Sequence, residues 1–560
     1  MIRSIRRAFL PSSKTHIDSE YTISKMEDQQ LREVIDRLKK NDPDLIEVDF
    51  RNINGLRSYS SEGRTELFGE LMDALSVNHT VKKVSVVLRY LDALSLKEQM
   101  ELFGAIGSLP GLVQLRVGSS GLMGLAMQLI STGLSQAKNL EWLNLQSIHF
   151  RASTEHVIQG SNNTDDVEFV EFCRILRNEL KELKTFILED VEETFDLDSL
   201  VESLTAMPSL EDISIKAFKF ADFARLNQKS LGLLSSSTKL KSISLKRLHL
   251  HQLLPAFIMS LENNLVLECL NLEGNQMGRD CGRAFAYLIQ FNSTLRELYL
   301  GCNLLPDEAG REIANAVATN SKLLLLSLHT NFLGISSATA FANILGDQKC
   351  QLESLDLSQN SIHDEGGTSL ALALHNNTKL KSLLLAETKV TKQTCDFFAM
   401  ALAVNKTLER LSLADNIIGD QGCVGLAETI KINSSLKSLN LSCTKTASVG
   451  IMAMSRAMEL NSSIVQLNLS RNKDKEGKCC QALETMVRHN TKLKHLWLPE
   501  AASSPNITFF IKLNRIGRDQ LLHELANNNL WMKALLQVHD DVSSLMYLIR
   551  ANPAVVAFLC

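Results

Sequence analysis

Residues 352–380 read LESLDLSQNSIHDEGGTSLALALHNNTKL, and this stretch contains each feature of a unit that recurs along the chain. Leu355 and Leu357 alternate with polar residues, which is the period-2 signature of a short strand with one buried face. Leu370 and Leu374 follow at the i, i+4 spacing that places two apolar side chains on one helix face. The stretch therefore predicts one strand followed by one helix.

The pattern L-x-x-L-x-L-x-x-N recurs through most of the 560 residues. In the C-terminal half the spacing is 28 or 29 residues over eight intervals, and such a period is typical of a repeat protein. The regular repeats begin at Leu267, Leu295, Leu323, Leu352, Leu380, Leu408, Leu436, Ile464 and Leu493, and looser ones at Leu45, Val81, Leu112, Leu140, Leu183, Leu210 and Leu240. About sixteen repeats predict an α/β solenoid, a horseshoe with parallel strands on its concave face and helices on its convex face.

Two asparagine positions recur when the first residue of each repeat is counted as offset 0. Offset 8 is often Asn, as at Asn360, whose amide is expected to satisfy backbone groups where the chain leaves the strand. Thr388 and Thr444 replace this Asn in two repeats, so we expect those turns to be less well held. Offset 25 is also often Asn, as at Asn405, where we expect the left-handed conformation that ends helices.

The acidic residues of the quoted stretch have two interpretations. His363, Asp364 and Glu365 lie in a row near Asp356, which is a composition typical of a metal site or an acid/base pair. However, Asp364 shares offset 12 with Asp307, and a position that recurs in register is expected to serve the repeat. We therefore predict that these acids cap the start of their helix, whereas Asp356, at offset 4, is a candidate contact on the strand.

The composition excludes several classes of protein. Apolar residues make up 45% and charged residues 22%, which is typical of a folded chain. With a formal charge of −4, the chain lacks the excess of basic residues that is typical of a nucleic-acid binder. It contains no run of 18 apolar residues, so we expect no membrane span. Eleven cysteines without a CxxC pair favour reduced thiols in a cytoplasmic protein. Phosphate-binding loops, nucleophile elbows and HExxH motifs are missing, so we expect no enzyme activity, no cofactor, no metal and no small-molecule substrate.

The repeats resemble ribonuclease-inhibitor-type leucine-rich repeats over about residues 45–500. The same class of repeat occurs in NOD-like receptors, in Ran GTPase-activating protein and in tropomodulin. Residues 41–53, NDPDLIEVDFRNI, are similar to the first repeats of tropomodulin. The resemblance implies a protein-binding scaffold, but members of this class bind quite different partners.

Five segments are expected from the pattern. They are a flexible N-terminal tail (1–26), an N-terminal helical cap (27–44), irregular repeats (45–264), regular 28-residue repeats (265–502) and a helical C-terminal cap (503–560). Caps are expected because an open solenoid exposes its core at both ends. The basic start MIRSIRRAFLPSSK leaves a transit peptide and a short tail as alternatives. Residues 151–168 form an insertion that is expected to project from one rim.

Outward-facing strand positions, at offsets 2, 4 and 6, supply the candidate contact residues. They are Trp142, Glu273, Glu297, Tyr299, His329, Asp356, Arg410, His495 and Trp497. Aromatic residues and arginine are the usual anchors of protein interfaces. We therefore predict a non-catalytic scaffold that binds a protein partner through the concave face or the loop-bearing rim. The resemblance leaves two alternatives, a regulator of a small GTPase and an actin-filament regulator.

Overall fold

A computed structural model describes residues 28–50, 61–91, 94–118, 126–147, 164–191, 196–217, 226–347, 349–474 and 477–518. The chain divides into two compact units, which we call the first unit (residues 1–234) and the second unit (residues 235–560). The predicted N-terminal tail, most of the predicted C-terminal cap and residues 151–163 of the predicted insertion lie outside the described residues.

The first unit alternates strands and helices in chain order. Its strands are β1 (Glu47–Phe50), β2 (Lys83–Val87), β3 (Gln114–Gly118), β4 (Trp142–Gln146), β5 (Thr185–Val191) and β6 (Asp212–Ala217). Its helices are α1 (Asp28–Lys39), α2 (Ser61–Val77), α3 (Leu96–Ser108), α4 (Ala126–Leu134), α5 (Thr164–Asn178), α6 (Leu197–Ala206) and α7 (Gln228–Ser235), the last reaching the unit boundary. Strands β1 to β6 pair in parallel, each with the next in sequence.

The second unit repeats this alternation with shorter strands. The strands are β7 (Ser242–Lys246), β8 (Cys269–Asn271), β9 (Glu297–Tyr299), β10 (Leu325–Ser327), β11 (Ser354–Asp356), β12 (Ser382–Leu384), β13 (Arg410–Ser412), β14 (Ser438–Asn440), β15 (Gln466–Asn468) and β16 (His495–Trp497). The helices are α8 (Leu254–Ser260), α9 (Arg279–Phe291), α10 (Asp307–Thr319), α11 (Ile335–Leu345), α12 (His363–Leu374), α13 (Lys392–Val404), α14 (Gly419–Ile430), α15 (Ser448–Leu460), α16 (Cys480–His489) and α17 (Pro505–Ile516). Strands β7 to β16 also pair in parallel and in chain order.

The core lies between the strands and the helices, as the apolar periodicity predicts. Leu355 and Leu357 of the strand segment and Leu370 and Leu374 of α12 are all fully buried. Burying one such side chain contributes about 1.5–3 kcal/mol, and the same positions are filled in repeat after repeat. The solenoid of parallel strands and packed helices is therefore confirmed within each unit. In α1, the apolar side chains of Leu31, Val34, Ile35 and Leu38 are buried, and the role of this helix as a cap stays a prediction.

Equivalent repeat positions lie side by side across the sheet. Tyr299 pairs with Ser327 and Ser327 pairs with Asp356, all three at offset 4. Because neighbouring strands are about 4.8 Å apart, each offset forms a row of side chains that crosses the strands. Rows at offsets 2, 4 and 6 form what we call the open strand face, which lies opposite the helices.

The asparagines at offset 8 hold the turn after the strand in the repeats that carry them, as predicted. The Nδ2 atom of Asn360 donates to the carbonyl oxygens of Leu328, Leu357 and Ser358 at 3.0–3.1 Å. Its Oδ1 atom accepts from the backbone N–H of Leu333 at 3.0 Å. The side chain therefore joins two consecutive repeats, and it is only 4% exposed.

The two threonines at offset 8 change the turn of the preceding repeat. Thr388 Oγ1 donates to the Leu385 carbonyl within its own repeat at 2.8 Å. The backbone N–H of His363 donates to the Thr388 carbonyl, and His363 adopts a left-handed φ of 56°. In the same way, the backbone N–H of Gly419 donates to the Thr444 carbonyl, and Gly419 adopts a left-handed φ of 64°. His363 is therefore a turn residue at the start of its helix.

The prediction of a left-handed Asn at the helix end was wrong. Asn405 is extended, with φ −68° and ψ 128°. Its Nδ2 atom donates to the carbonyl oxygens of Leu374 and Asn377 in the preceding repeat, and its Oδ1 atom accepts from the N–H groups of Thr407 and Leu408. The amide thus forms a second row of bonds between repeats, and this requires no unusual backbone conformation.

The left-handed conformation occurs instead at offset 7, one residue before the turn asparagine. It is adopted by Ser147, Asp190, Arg247, Gly274, Cys302, Thr330, Gln359, Glu387, Asp415, Cys443 and Arg471. A non-glycine residue in this region carries strain of about 1–2 kcal/mol, which the surrounding bonds must offset. Because many residue types occupy the position, the sequence gives no signal for it.

The acids at offset 12 cap a helix, but not their own. The Asp364 carboxylate accepts from the N–H and hydroxyl groups of Thr391 and Thr394, which begin the helix of the following repeat. Asp307 accepts in the same way from Gly334 and Ser337. The prediction that these acids cap a helix is therefore confirmed, but the prediction that they cap their own helix was wrong. The side chain reaches across to the helix of the next repeat.

Candidate functional site

Three outward positions at offset 6 bring charged side chains together. Glu273, Gly301 and His329 occupy this offset in three successive repeats. A Cβ atom on Gly301 would overlap the imidazole ring of His329. Because Gly301 has no side chain, the ring lies across its backbone, and His329 Nε2 approaches Glu273 Oε1 to 3.3 Å.

The surrounding hydrogen bonds favour the imidazolium form of His329 over a neutral ring. Gln359 Nε2 donates to the Glu387 carboxylate at 2.7 Å, so Gln359 Oε1 faces Thr330 and accepts the proton of its hydroxyl. The Thr330 oxygen, 3.0 Å from His329 Nδ1, is therefore left as an acceptor. Nε2 faces the Glu273 carboxylate, which also only accepts. Both ring nitrogens thus face oxygen acceptors, which favours a ring protonated at both positions.

The electrostatic environment agrees with this protonation state. Burial by itself lowers the pKa of His329, but its contacts with Cys302 and Glu273 and the charge of Asp356 raise that pKa to about 10. Burial by itself raises the pKa of Glu273, whereas His329 and Lys246, whose Nζ lies 2.7 Å from Glu273 Oε2, lower it to about 2. The pair is therefore ionised throughout the neutral range.

Other predicted contact residues surround this pair. The Tyr299 hydroxyl donates to Glu297 Oε2 at 3.0 Å, and burial raises the pKa of Tyr299. Asp356 Oδ1 accepts from the backbone N–H of Ser358 at 2.9 Å, and burial raises the pKa of this carboxyl group too. The structure thus brings together five predicted residues and adds the exposed Cys302. We call this group the His329 cluster: Glu273, Glu297, Tyr299, Cys302, His329 and Asp356.

A second group lies on the last described strand. The rings of His495 and Trp497 are stacked, with centroids 5.9 Å apart, and Arg515 of α17 places Nη2 3.5 Å from His495 Nδ1. Burial, together with Arg515 and Lys494, lowers the pKa of His495, which favours a neutral ring. Trp497 remains 45% exposed although it is stacked on one side. We call these two residues the Trp497 pair.

The two remaining predicted residues join neither group. Arg410 lies on β13 between Ser382 and Ser438, and burial lowers the pKa of its guanidinium. Trp142 lies on β4 of the first unit, between Gln114 and Thr185.

The outward-position rule missed Cys302 and several residues that contact these two groups. Lys246 shares offset 6 with Glu273, so the same rule applied to one more repeat would have found it. Cys302 and Thr330 lie at offset 7, where only the unusual backbone conformation turns the side chains toward His329. Arg515 belongs to a helix that follows the repeats, and its position has no signal in the repeat pattern.

Metal binding and membrane insertion have no support within the described ranges. No group of three or more His, Cys, Asp or Glu side chains there is arranged to hold a metal ion. The helices of these same ranges include none with both the length and the apolar character needed to cross a bilayer.

Comparisons with known proteins agree with the repeat architecture. A family model described as "Leucine Rich repeat" matches residues 348–371 and 404–427. No curated protein matches the chain in sequence. Among solved structures, the chain is similar to actin-binding site 2 of leiomodin-1, with 19% identity, 28% of this chain and 91% of that chain covered, and a TM-score of 0.25.

Two other solved structures share larger parts of the chain. An internalin from Listeria monocytogenes is 17% identical, with 72% of this chain and 88% of that chain covered and a TM-score of 0.38. The Toll–Spatzle complex of Drosophila is 16% identical, with 75% of this chain and 46% of that chain covered and a TM-score of 0.37. Likenesses this distant carry no conclusion about partners. The repeated strand and helix, the leucine core and the matched family model together show that the described units are built of leucine-rich repeats.

Proposed function

We propose that the chain is a non-catalytic scaffold whose second unit binds another protein through the open strand face. The observation that carries this proposal is Trp497, a large aromatic side chain that is held by stacking on His495 and is still 45% exposed. Tryptophan and arginine are the residues that most often dominate binding energy at protein interfaces. Arg515 lies beside the stacked pair and suits a carboxylate on the partner.

The open strand face is also held in place before any partner arrives. In the His329 cluster, ion pairs and hydrogen bonds fix Glu273, Tyr299 and His329. Between this cluster and the Trp497 pair, many outward positions carry small side chains, such as Ser382 and Ser438. Side chains that are already ordered lose little entropy on binding, so a partner would gain affinity from few contacts.

Affinity capture with a matched variant tests the proposal. The immobilised chain, its Trp497→Ala variant and its Leu460→Ala variant are compared for the proteins they retain, and each partner is then purified for titration. Leu460 is the control because it is apolar and 70% exposed but lies at the end of α15, away from the strand face. We expect Trp497→Ala to weaken binding by about 30-fold, as loss of an interface anchor does, and Leu460→Ala to leave it unchanged. Equal retention by all three proteins would make the proposal wrong.

The finer alternatives remain proposals with separate tests. Regulation of a small GTPase predicts faster GTP hydrolysis when the chain is added to a panel of such GTPases, and actin regulation predicts co-sedimentation with filaments. A cytoplasmic location is part of the scaffold proposal and is supported by the ten described cysteines, all of which are free thiols.

A further inference from the structure

We propose that Cys302 is a nucleophilic thiol that reacts with small soft electrophiles, with His329 as its ion-pair partner and Glu273 as the residue that positions His329. This site goes beyond protein binding and does not depend on it. Cysteine reactivity follows the thiolate, which is stabilised beside a fixed positive charge.

The first observation that supports this proposal is the position of the His329 ring beside Cys302. Sγ of Cys302 lies 3.9 Å from Nδ1 of His329, and the acceptor oxygens of Glu273 and Thr330 favour protons on both ring nitrogens. A thiol that faces an imidazolium loses its proton more readily because the thiolate is attracted to the ring. The contact with His329 lowers the pKa of Cys302 despite the opposing effects of burial and of Glu273.

The charged groups near the His329 ring lie on the neighbouring strands of the sheet. Glu273 precedes His329 by two repeats and is itself paired with Lys246 on the strand before it. Asp356 lies on the strand that follows, where burial favours its neutral form. The imidazolium therefore faces the ionised Glu273 carboxylate, whose own charge is shared with a lysine, and Asp356, whose charge also raises the pKa of the ring. This leaves the ring able to stabilise a thiolate.

The second support is a matched cysteine elsewhere in the same chain. Cys443 lies at the same offset 7 and has the same left-handed backbone, with φ 55° against 57° for Cys302. Its main charged neighbour is Asp415, at offset 7 of the preceding repeat, and the hydrogen bond to this carboxylate raises the pKa of the Cys443 thiol although Arg471 and Lys445 act in the opposite direction. The two thiols share a backbone setting but differ in their main charged neighbour, which is a histidine beside Cys302 and a carboxylate beside Cys443. They also differ in exposure, since Cys302 is exposed and Cys443 is half-buried.

Access distinguishes Cys302 from the other described cysteines. Cys302 is exposed, whereas the buried thiols are Cys173, Cys281, Cys350, Cys395, Cys423 and Cys479. Buried thiols in apolar surroundings are poor nucleophiles toward reagents in solution. A small reagent should therefore distinguish Cys302 in the folded chain.

Iodoacetamide is a suitable probe because its reaction is simple. The Cys302 thiolate donates an electron pair to the methylene carbon, the S–C bond forms, the C–I bond breaks, and iodide leaves with the bonding electrons. The thiol proton has already passed to solvent, so the reaction needs no oxidant or further reactant. Peptide mass spectrometry then gives the alkylation rate of each cysteine separately.

The alkylation rates of Cys302 and Cys443 are measured in the folded full chain from pH 5 to pH 10. We expect Cys302 to be alkylated at least about fivefold faster than Cys443 at pH 7, since a larger thiolate fraction outweighs the lower nucleophilicity of a less basic thiolate. The pH midpoint of the Cys302 profile should lie below that of Cys443. Equal rates and equal midpoints would overturn the proposal.

Two variants separate the role of His329 from that of Glu273. His329→Gln should bring the Cys302 rate down to that of Cys443 and raise its pH midpoint, with the Cys443 rate unchanged. Glu273→Gln should give a smaller shift of the Cys302 midpoint in the same direction, because the ring stays present but loses its positioning bond. A Cys302 midpoint that stays fixed in His329→Gln would rule out the ion pair. Should a variant not fold, the comparison of the two cysteines within the wild-type chain still decides the proposal.

Discussion

His329 Nε2 lies 3.3 Å from Glu273 Oε1, although 56 residues and one complete repeat separate the two side chains. The contact passes over Gly301, the residue at the same offset in the intervening repeat. A missing side chain in one repeat thus lets its two neighbours form an ion pair. The solenoid places equivalent residues in rows, and the sizes of the residues in a row decide which of them meet.

Gly301→Ala should separate this pair. The added methyl group would overlap the imidazole, so the ring must move away from Glu273. We expect the pKa of His329, about 10 in the native protein, to fall, and NMR titration of its ring protons measures the change. Gly278→Ala is the control, because a Cβ there meets nothing within 4 Å. An unchanged His329 pKa in Gly301→Ala would contradict the assignment.

The Glu273–His329 pair should stabilise the fold only within a defined pH window. The pKa of His329 is raised from 6.5 to about 10, so its contribution is complete below pH 6.5 and is lost as the pH rises through 10. The pKa of Glu273 is lowered from 4.5 to about 2, so its contribution is complete above pH 4.5 and is lost as the pH falls through 2. Glu273→Gln should therefore cost about 2 kcal/mol near pH 5.5 and less at either extreme.

Urea unfolding of the wild type and Glu273→Gln at a series of pH values checks this window. The difference in unfolding free energy should be largest between the two ordinary pKa values. A difference that does not vary with pH would show that the lost contribution is packing rather than charge.

Asp364→Ala should destabilise the protein through the neighbouring repeat. Burial raises the pKa of Asp364, but the bonds from Thr391 and Thr394 outweigh it and lower this pKa, so the charged form is the one that caps α13. Loss of a helix cap costs about 0.5–2 kcal/mol. The cap should also weaken as the pH falls through the lowered pKa, because the protonated carboxyl group accepts fewer bonds.

Glu365→Ala is the matched control for this cap. Glu365 follows Asp364 in the same first turn of α12 but is exposed, and an exposed substitution of this kind changes stability by about 0.5 kcal/mol or less. Chemical unfolding of both variants gives the comparison. Equal losses in the two would argue against a cap that crosses between repeats.

Asn360→Ala should remove the bonds that hold one turn to the next. Three buried carbonyl oxygens and the N–H of Leu333 lose their side-chain partner, which costs about 1–3 kcal/mol. Asn343→Ala provides the control, because Asn343 is exposed on α11 and alanine is the better helix former. A urea midpoint for Asn360→Ala that matches the wild type would refute the role of this amide.

The regularity of the chain explains how much of the fold was predictable. A leucine at offset 0, 3 or 5 is buried in repeat after repeat, apart from the half-buried Leu496 and Leu498 of the last described repeat, so the strands, the helices and the outward positions follow from the period. Five of the nine predicted contact residues meet in one cluster because outward residues of equal offset lie in rows. The two errors both concern bonds between neighbouring repeats: Asp364 bonds to the following repeat and Asn405 to the preceding one.

The amino-acid sequence by itself determined the repeat, its core and the row to which each outward side chain belongs, because these depend on local periodicity and on which residues avoid water. Only the tertiary structure decided which side chains within and between rows meet. The His329 charge depends on a gap at Gly301, on the left-handed backbone of Thr330 and on the orientation of the Gln359 amide. Each of these lies in a different repeat, and only stacking brings them within bonding distance.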